Sequence, residues 1–166
     1  RSVVYALPEE TTTEELLELI DKLNADKSIN GILCQLPVPK HINKNLVLER
    51  IHPTKDVDCF HPENVGRLSI GSGEIVPCTP MGMVKMLEYE GVDPTGKHCV
   101  IIGRSDIVGK PMAMLMLARN ATVSICHSKT VNLAEITKQA DILVAAVGIA
   151  KFVKADMVKD GAIVLD

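Results

Sequence analysis

The sequence predicts an α/β protein made of two α/β parts, and two observations support this fold class. Short runs rich in β-branched residues alternate with stretches of helical apolar periodicity, which is typical of parallel strands joined by crossover helices. The composition is that of a globular protein, since 46% of the 166 residues are apolar, 23% are charged and the formal net charge is −3. A chain of this length buries roughly two-thirds of the surface that its unfolded form exposes, so neither disulfides nor metals are needed to hold it together.

Short apolar runs predict six strands, and helical periodicity predicts helices between them. The first helix begins after Thr12, because Thr12 and Glu15 have the spacing of a capping box, and it ends near Asn24. The predicted strands are Ser2–Leu7, Gly31–Gln35, His98–Gly103, Thr122–Cys126, Ile142–Val147 and Ala162–Asp166. The other predicted helices are Asn43–Ile51, Met81–Tyr89, Val108–Arg119, Leu133–Gln139 and Lys154–Val158.

The alternation lapses between residues 52 and 80, where prolines, glycines and aspartates predict a long loop. A loop of that length rarely serves only to connect two elements, so we expect functional residues in it. The helix predicted from Met81 then leads into a new strand. The natural division of the chain therefore falls at about residue 90, with parts 1–90 and 91–166.

Composition disfavours several classes of partner. Lysine and arginine are scattered along a mildly acidic chain, which gives no electrostatic footprint for nucleic acid or an anionic membrane. The longest uncharged apolar stretches, Ile142–Ala150 and Met112–Ala118, are far shorter than the ~20 residues of a membrane span. Five cysteines without a close pair favour a reducing compartment. We expect a soluble cytoplasmic protein, or a mitochondrial matrix protein if a transit peptide precedes Arg1.

The strongest motif is the turn after the strand predicted at His98–Gly103. It reads Gly-Arg-Ser-Asp-Ile-Val-Gly from Gly103 to Gly109 and leads into an apolar helix, which is the context of a dinucleotide-binding turn. The spacing is Gly-x-Ser-x-x-x-Gly rather than Gly-x-Gly-x-x-Gly, so a plain helix-start turn with a packing glycine is the alternative. On the first interpretation, the second part is a Rossmann-like sheet that holds a phosphate at the start of the helix.

The residues at the end of the next strand indicate which dinucleotide, NAD or NADP, the site binds. A site for NAD places Asp or Glu there, on the ribose hydroxyl, whereas this strand ends in Cys-His-Ser-Lys-Thr at positions 126–130. Without an acid, and with Arg104 nearby, the site suits the additional 2′-phosphate of NADP. The alternative for Ser128 and Thr130 is capping of the helix that begins near Leu133. Gly148 follows the third strand of this part, where a strand end would line the cofactor cleft.

Two segments of the first part carry candidate site residues. Gln35 is a polar side chain at the carboxyl end of a predicted strand, where open parallel sheets place ligand contacts, although it could also tie down the proline-rich turn. Asp56, Asp58 and His61 admit a metal, but three potential ligands in one turn are a weak pattern. Solvated turn carboxylates or a substrate-binding acid fit better, so we expect no metal.

Taken together, these segments resemble the methylenetetrahydrofolate dehydrogenase/cyclohydrolase family, the bifunctional folate enzymes of one-carbon metabolism. The matching stretches occur in the family's order along nearly the whole chain. They are Leu23–Asp26, Gly31–Pro39, Lys55–Pro62, Pro77–Pro80, Gly103–Pro111, Ala121–Thr130 and Asp160–Asp166.

The resemblance implies NADP-linked oxidation of 5,10-methylenetetrahydrofolate to the methenyl form, then hydrolysis to 10-formyltetrahydrofolate, in a homodimer. It implies a partial folate-binding catalytic domain over residues 1–90 and a partial NADP-binding Rossmann-like domain over residues 91–166. By position, Asp58 matches the acid that binds the pterin ring, and Gln35 matches the residue that supports the catalytic lysine. The remaining matches are to substrate contacts, Cys34 and Leu36, and to cofactor contacts, Gly103, Arg104, Ser105 and Ser128.

The chain departs from the family pattern in three ways. The family's Tyr-x-x-x-Lys motif is absent, because Glu9 follows Tyr5 and Asp93 follows Tyr89, so we expect the catalytic lysine upstream of Arg1. The sequence also stops before the family's closing glycine-rich segments, which suggests an internal portion of a longer protein. Cys59 stands where the family usually has glycine, and a positive φ there would cost cysteine about 1 kcal/mol.

Two other functions remain as alternatives. One is another two-domain NADP-dependent dehydrogenase, such as a shikimate-dehydrogenase-like protein, although Phe60–Pro62 and Pro77–Pro80 argue against it. The other is a non-catalytic nucleotide- or folate-binding module, which the missing lysine permits.

Overall fold

The computed structural model describes residues 2–166, which form two compact units. The first unit ends at Val65 and the second is Gly66–Asp166. In the first unit the helices are α1 (Thr13–Ala25), α2 (Lys44–Arg50) and the start of α3 (Pro62–Ser69). In the second unit the elements after α3 are α4 (Cys78–Tyr89), β1 (His98–Ile102), α5 (Gly109–Leu117), β2 (Thr122–Cys126), α6 (Leu133–Thr137), β3 (Ile142–Ala145), a 3₁₀ helix (Ala155–Met157) and β4 (Ile163–Leu165).

The first unit is built on α1 and α2, which pack on a core of five buried aliphatic side chains. The predicted capping box is confirmed: the Glu15 amide donates to Thr12 Oγ1 at 3.2 Å and the Thr12 amide donates to Glu15 Oε2 at 2.8 Å. Helix α1 ends one residue later than predicted. The core residues are Ile20, Ile32, Ile42, Val47 and Ile51.

Neither strand predicted in the first unit forms a ladder among the described residues. Ser2–Leu7 is irregular and exposed, with Val4 84% accessible, and in Gly31–Gln35 only Ile32 pairs, through a single parallel bridge to Asp56. These two predictions are wrong for a common reason. A strand needs a neighbour for its N–H and C=O groups, and an apolar run alone does not supply one.

The stretch predicted as a loop contains helix α3, which the sequence reasoning missed. Its signals are nevertheless in the sequence, since Pro62 occupies the first helical position and Glu63 lies in the first turn. Helix α4 also begins earlier than predicted, at Cys78 rather than Met81. The loop expected over residues 52–80 is therefore interrupted by more than two turns of helix.

The second unit is a four-stranded parallel sheet in the order β2-β1-β3-β4, which confirms the predicted parallel architecture. Its two central strands, β1 and β3, are almost entirely buried, as expected when helices cover both faces of a parallel sheet. All four strands lie within predicted segments. The last predicted helix is corrected to a short 3₁₀ helix, Ala155–Met157.

The division between the units lies inside α3, well before the boundary near residue 90 that the sequence suggested. Helix α4 packs against α5, the first crossover helix of the sheet, and so belongs with the second unit. The sequence reasoning put α4 in the first part because the next strand begins only at His98. Spatial packing, which the order of elements does not reveal, decides the division.

Candidate active site

The turn between β1 and α5 requires glycine at both ends of its motif. Gly103 has φ 123°, and a Cβ atom there would collide with the carbonyl oxygen of Ala146. The Gly103 amide also donates to the Cys126 carbonyl at 2.8 Å, which holds the turn against the end of β2. At Gly109 a Cβ would collide with the Gly103 carbonyl and lie 2.9 Å from Arg104 Cα. The motif therefore brings its own backbone together more closely than any side chain would allow.

Ser105 closes this turn from within. Its Oγ accepts hydrogen bonds from the amides of Val108 and Gly109, both at 3.2 Å, and its carbonyl accepts from the Lys110 amide at 3.0 Å. Ser105 therefore stabilises the backbone at the start of α5. The alternative interpretation of this motif, a turn that only starts a helix, also expects such bonds. The Ser105 side chain remains exposed and could also reach a ligand.

Arg104 is an exposed cation on the same turn. Within residues 2–166 its guanidinium makes no hydrogen bond or ion pair. The other cation of the turn, Lys110, is paired with Asp106 at 2.6 Å. The guanidinium of Arg104 is therefore available to an anionic ligand.

Ser128 lies in a tight turn after β2. The His127 amide donates to Thr130 Oγ1 and the Thr130 amide donates to the His127 carbonyl, each at 2.8 Å, which leaves Ser128 exposed at the tip. Neither Ser128 nor Thr130 caps α6, because the residue before that helix, Asn132, is left-handed and its side chain makes no capping bond. The capping alternative for these two residues is therefore wrong.

The sheet register brings these turns to one edge. Ile102 of β1 lies beside Cys126 of β2 and Ala145 of β3, so all three strands end together. Gly103, Arg104, Ser105 and Ser128 all follow those ends. Gly148, with φ 62°, follows β3 at the same edge. In an open parallel sheet this edge, where the chain turns from β2 on one side of β1 to β3 on the other, is the usual ligand-binding position.

In the first unit, Gln35 follows the bridge at Ile32 and contacts the turn beside it. Its Nε2 donates to the Leu36 carbonyl at 3.0 Å, just before the cis Leu36–Pro37 peptide bond. This contact is the one expected if Gln35 only stabilises the proline-rich turn. The side chain is exposed, and its Oε1 has no hydrogen-bond partner within residues 2–166. Gln35 can therefore fasten the turn and still accept a hydrogen bond from a ligand or another side chain.

Asp58 is half-buried, and its environment disfavours its charge. Burial first, and the neighbouring charge of Asp56 second, raise the pKa of the Asp58 carboxyl above its usual value. The charge of Asp58 adds in turn to the effect of burial in raising the pKa of the Cys34 thiol, so these two predicted contact residues are neighbours. Leu36, the third predicted substrate contact, is half-buried two residues beyond Cys34.

Asp56 and His61 have structural roles. Asp56 is 3% exposed, and its Oδ2 accepts from the His61 amide and from Asn64 Nδ2, both at 2.9 Å. His61 Nδ1 accepts from the Glu63 amide at 3.1 Å. Residues 2–166 contain no group of three or more His, Cys, Asp or Glu side chains arranged to hold a metal ion. Asp56 and His61 instead form the hydrogen bonds that stabilise the turn before α3.

Cys59 occupies the position where the resemblance implied glycine, and its backbone is left-handed, with φ 59°. The condition named from the sequence, a positive φ, is therefore met, and cysteine carries a strain of about 1 kcal/mol there. The side chain is completely buried, and burial together with the charge of Asp56 raises the pKa of the Cys59 thiol to about 11. The thiol is protonated at neutral pH and is a poor nucleophile.

Lys55 is a residue of this region that sequence reasoning missed. Its Nζ donates to the carbonyls of Leu23, Asn24 and Asp26, each at 2.8 Å, and so satisfies the carboxyl end of α1. These three bonds anchor the segment that leads to Asp56 and Asp58. A lysine close to two aspartates gives no signal in the sequence that its partners lie about 30 residues earlier.

Comparison with known proteins assigns the family. Residues 77–166 match the model of the tetrahydrofolate dehydrogenase/cyclohydrolase NAD(P)-binding domain, and residues 1–58 match that of the catalytic domain of the same family. The chain belongs to this family. Membership excludes the shikimate-dehydrogenase-like alternative.

Several members of the family resemble the chain closely. The bifunctional protein FolD of Ruminiclostridium cellulolyticum is 58% identical over all of this chain and 58% of its own length. The crystal structure of FolD from Campylobacter jejuni has 52% identity and a TM-score of 0.95 over 99% of this chain and 58% of its own. A Trypanosoma brucei FolD structure, complexed with NADP cofactor and inhibitor, has 40% identity and a TM-score of 0.89 over 95% of this chain and 55% of its own. The chain thus spans somewhat more than half the length of the relatives it matches.

No helix within residues 2–166 is both long enough and apolar enough to cross a membrane.

Proposed function

We propose that the protein containing this chain oxidises 5,10-methylenetetrahydrofolate to 5,10-methenyltetrahydrofolate with NADP and hydrolyses the product to 10-formyltetrahydrofolate. The observation that carries this proposal is that the catalytic and NAD(P)-binding domain models of one folate family match in order along a single chain. Relatives that are 55–58% identical are named bifunctional, which supports both activities in one protein.

The β1–α5 turn supports the cofactor assignment. The close backbone approach at Gly103 and Gly109 fixes the turn between β1 and α5, and this turn is proposed to hold the pyrophosphate, as the first strand-to-helix turn does in dinucleotide-binding sheets. Arg104, which has no ion-pair partner within residues 2–166, and the exposed Ser128 are proposed to bind the 2′-phosphate of NADP. The nicotinamide ring of bound NADP would accept the hydride from the methylene carbon. The NADP-bound Trypanosoma brucei relative supports this choice of dinucleotide.

The first unit is proposed to bind the folate. Asp58 is half-buried, and a carboxylate there can accept paired hydrogen bonds from the adjacent ring and amino N–H groups of a pterin. Such donors would also offset the cost of keeping Asp58 ionised in its position beside Asp56. Cys34 and Leu36 are proposed to contact the substrate. The Oε1 atom of Gln35 is proposed to orient the lysine that transfers protons.

The partners and location follow from the same proposal. All five cysteines are free, which fits a reducing compartment such as the cytoplasm. We propose a homodimer that binds a folate and no nucleic acid or membrane. Light scattering of the purified complete protein would measure its mass, and a monomeric mass would contradict the dimer.

The function is tested by two assays on the protein expressed from the complete reading frame. Incubation with 5,10-methylenetetrahydrofolate and NADP should produce NADPH and methenyltetrahydrofolate, and added methenyltetrahydrofolate should be hydrolysed faster than in buffer. Loss of one activity would make the protein monofunctional. Binding of NADP and tetrahydrofolate with neither reaction would favour the non-catalytic binding module.

A further inference from the structure

Asp56 is the most buried charged side chain of the first unit among the described residues, and the proposed function leaves it without a role. Its carboxylate lies close to that of Asp58, which opposes the ionisation that folate binding needs. The charge of Asp56 therefore works against the proposed role of Asp58 in folate binding. If Asp56 supports that role, it does so by another means than its charge. Its hydrogen bonds indicate how it does so.

The side chain of Asp56 closes the loop that contains Asp58. Asp56 Oδ2 accepts from the His61 amide five residues later, at 2.9 Å, so Asp58 and Cys59 lie within a ring closed by this one oxygen. The same oxygen accepts from Asn64 Nδ2 at 2.9 Å. That amide nitrogen also donates to the Pro53 carbonyl at 2.8 Å, on the chain that enters the loop. The entry, the closure and helix α3 are thus joined at one buried point.

The backbone of Asp56 connects the loop to the other substrate segment. Asp56 pairs with Ile32 in the isolated parallel bridge, and the Ile32 amide donates to the Lys55 carbonyl at 2.7 Å. Because both chains continue in the same direction, Cys34 lies beside Asp58 two residues further on, as the effect of Asp58 on the pKa of Cys34 also indicates. Asp56 therefore lies at the base of both segments that carry the proposed folate contacts.

We propose that Asp56 is a positioning residue, which fixes the loop carrying Asp58 through its links to His61 and Asn64 and thereby sets the affinity for folate. This inference rests on the proposed function, in which Asp58 binds the folate. The loop needs such a closure because Cys59 within it is held in a left-handed conformation that favours glycine. Without the hydrogen bonds to Asp56, the backbone of the loop would leave the strained conformation at Cys59. The Asp58 carboxylate would then move out of the position in which it is proposed to bind folate.

Two substitutions separate the closure from the charge. Asp56→Asn keeps an oxygen that can accept from His61 and Asn64 but removes the charge, whereas Asp56→Ala removes the acceptor. In the complete protein, Asp56→Ala should raise the Kd for tetrahydrofolate and the KM for methylenetetrahydrofolate by about tenfold or more, since hydrogen bonds to charged groups are lost. Asp56→Asn should retain wild-type affinity within about threefold and should lower the pKa of Asp58, measured by carbon-13 NMR of its carboxyl. Burial and the charge of Asp56 are what raise that pKa, and the substitution removes only the second.

Asn64→Ala is a milder variant, because it removes one donor to Asp56 and leaves the His61 link intact. It should give an intermediate loss of folate affinity, and it keeps the inference testable if Asp56→Ala does not fold. Asn43→Ala is the matched control, since Asn43 Oδ1 accepts from the Leu46 amide at the exposed start of α2 in the same unit. It removes a comparable local acceptor without touching the Asp58 loop, so folate affinity should not change. NADP affinity should be unchanged in every variant.

Each outcome distinguishes the inference from the function on which it rests. Unchanged folate affinity in Asp56→Ala and Asn64→Ala, with weakened affinity in Asp58→Asn, would overturn the positioning role alone. Unchanged affinity in Asp58→Asn would overturn the proposed role of Asp58 itself. Equal losses in Asn43→Ala and Asp56→Ala would mean that general destabilisation explains the effect, and the positioning role would be rejected. A loss in Asp56→Asn as large as in Asp56→Ala would assign the effect to charge and reject it too.

Discussion

Gly103→Ala should destabilise the dinucleotide-binding unit far more than an ordinary glycine substitution. The left-handed side of φ space costs alanine about 1 kcal/mol, and Gly103 has φ 123°. In addition, the new Cβ collides with the Ala146 carbonyl, which is backbone and cannot rotate away. Relief requires Gly103 to move away from β3. That movement weakens the bond from the Ala146 amide to the Ile102 carbonyl and displaces the Gly103 amide from the Cys126 carbonyl of β2, each at 2.8 Å.

The magnitude follows from those contacts. Two backbone hydrogen bonds weakened at about 1 kcal/mol each, added to the conformational cost, give about 3 kcal/mol for Gly103→Ala. Gly161→Ala is the matched control, because Gly161 has φ 77° but open space at its Cβ position, so only the conformational cost of about 1 kcal/mol applies. The difference of about 2 kcal/mol corresponds to roughly 4–8 °C in Tm.

Thermal unfolding of the two variants, monitored by circular dichroism, measures that difference, and NADP titration measures its effect on the site. Gly103→Ala should also weaken NADP binding, whereas Gly161→Ala should not. Equal Tm values for the two variants would refute the steric reasoning. A normal NADP affinity in Gly103→Ala would mean that the turn does not hold the cofactor.

Three further predictions concern the cofactor, the thiols and the isolated chain. Arg104→Ala should raise the KM for NADP at least about tenfold and leave that for NAD nearly unchanged, because a charge-assisted phosphate contact contributes about 1.5–3 kcal/mol; equal changes would reject the assignment. Iodoacetamide at neutral pH should modify the exposed Cys78 first in the folded protein, since burial raises the pKa of the Cys59 thiol to about 11 and that of the Cys99 thiol to about 12. Peptide mass mapping with Cys59 or Cys99 ahead of Cys78 would contradict those environments. A polypeptide of these 166 residues alone should have neither activity, because it lacks the Tyr-x-x-x-Lys motif, and measurable turnover by it would show that the catalytic group was misassigned.

Local signals predicted much of the fold. The Thr12 and Glu15 capping box marks the start of α1, and the buried apolar runs mark all four strands of the parallel sheet. The Gly103–Gly109 segment was predicted to connect a strand to a helix, and the structure has it between β1 and α5 with a close backbone approach. These features depend on residues within a few positions of one another, where spacing determines geometry.

Features that depend on distant partners were not predictable. Apolar character at Ser2–Leu7 indicated a strand, but no described segment pairs with it. Lys55 bonds carbonyls about 30 residues away, and nothing in its neighbours reveals that choice. Asp56 and Asp58 look alike in the sequence, and only burial and hydrogen bonding distinguish the structural acid from the candidate ligand-binding one. Helix α3 was missed although Pro62 marks its start, because the surrounding prolines and glycines favoured a loop.

Asp58→Asn in the complete protein tests the central claim, that the first unit binds folate through this acid. The substitution keeps the size of the side chain and removes its charge, so tetrahydrofolate binding should weaken by about 1–3 kcal/mol, with both activities depressed and NADP affinity unchanged. Stability should not fall. Because the pKa of Asp58 is raised in the folded protein, the folded state binds its proton more tightly than the unfolded state, and this group's contribution to stability declines as pH rises through the folded pKa. The ionised carboxylate therefore opposes folding at neutral pH, and Tm should stay level or rise. Calorimetric titration with tetrahydrofolate is the decisive measurement: a loss of affinity at an unchanged or higher Tm is the predicted result, and wild-type affinity would contradict the account.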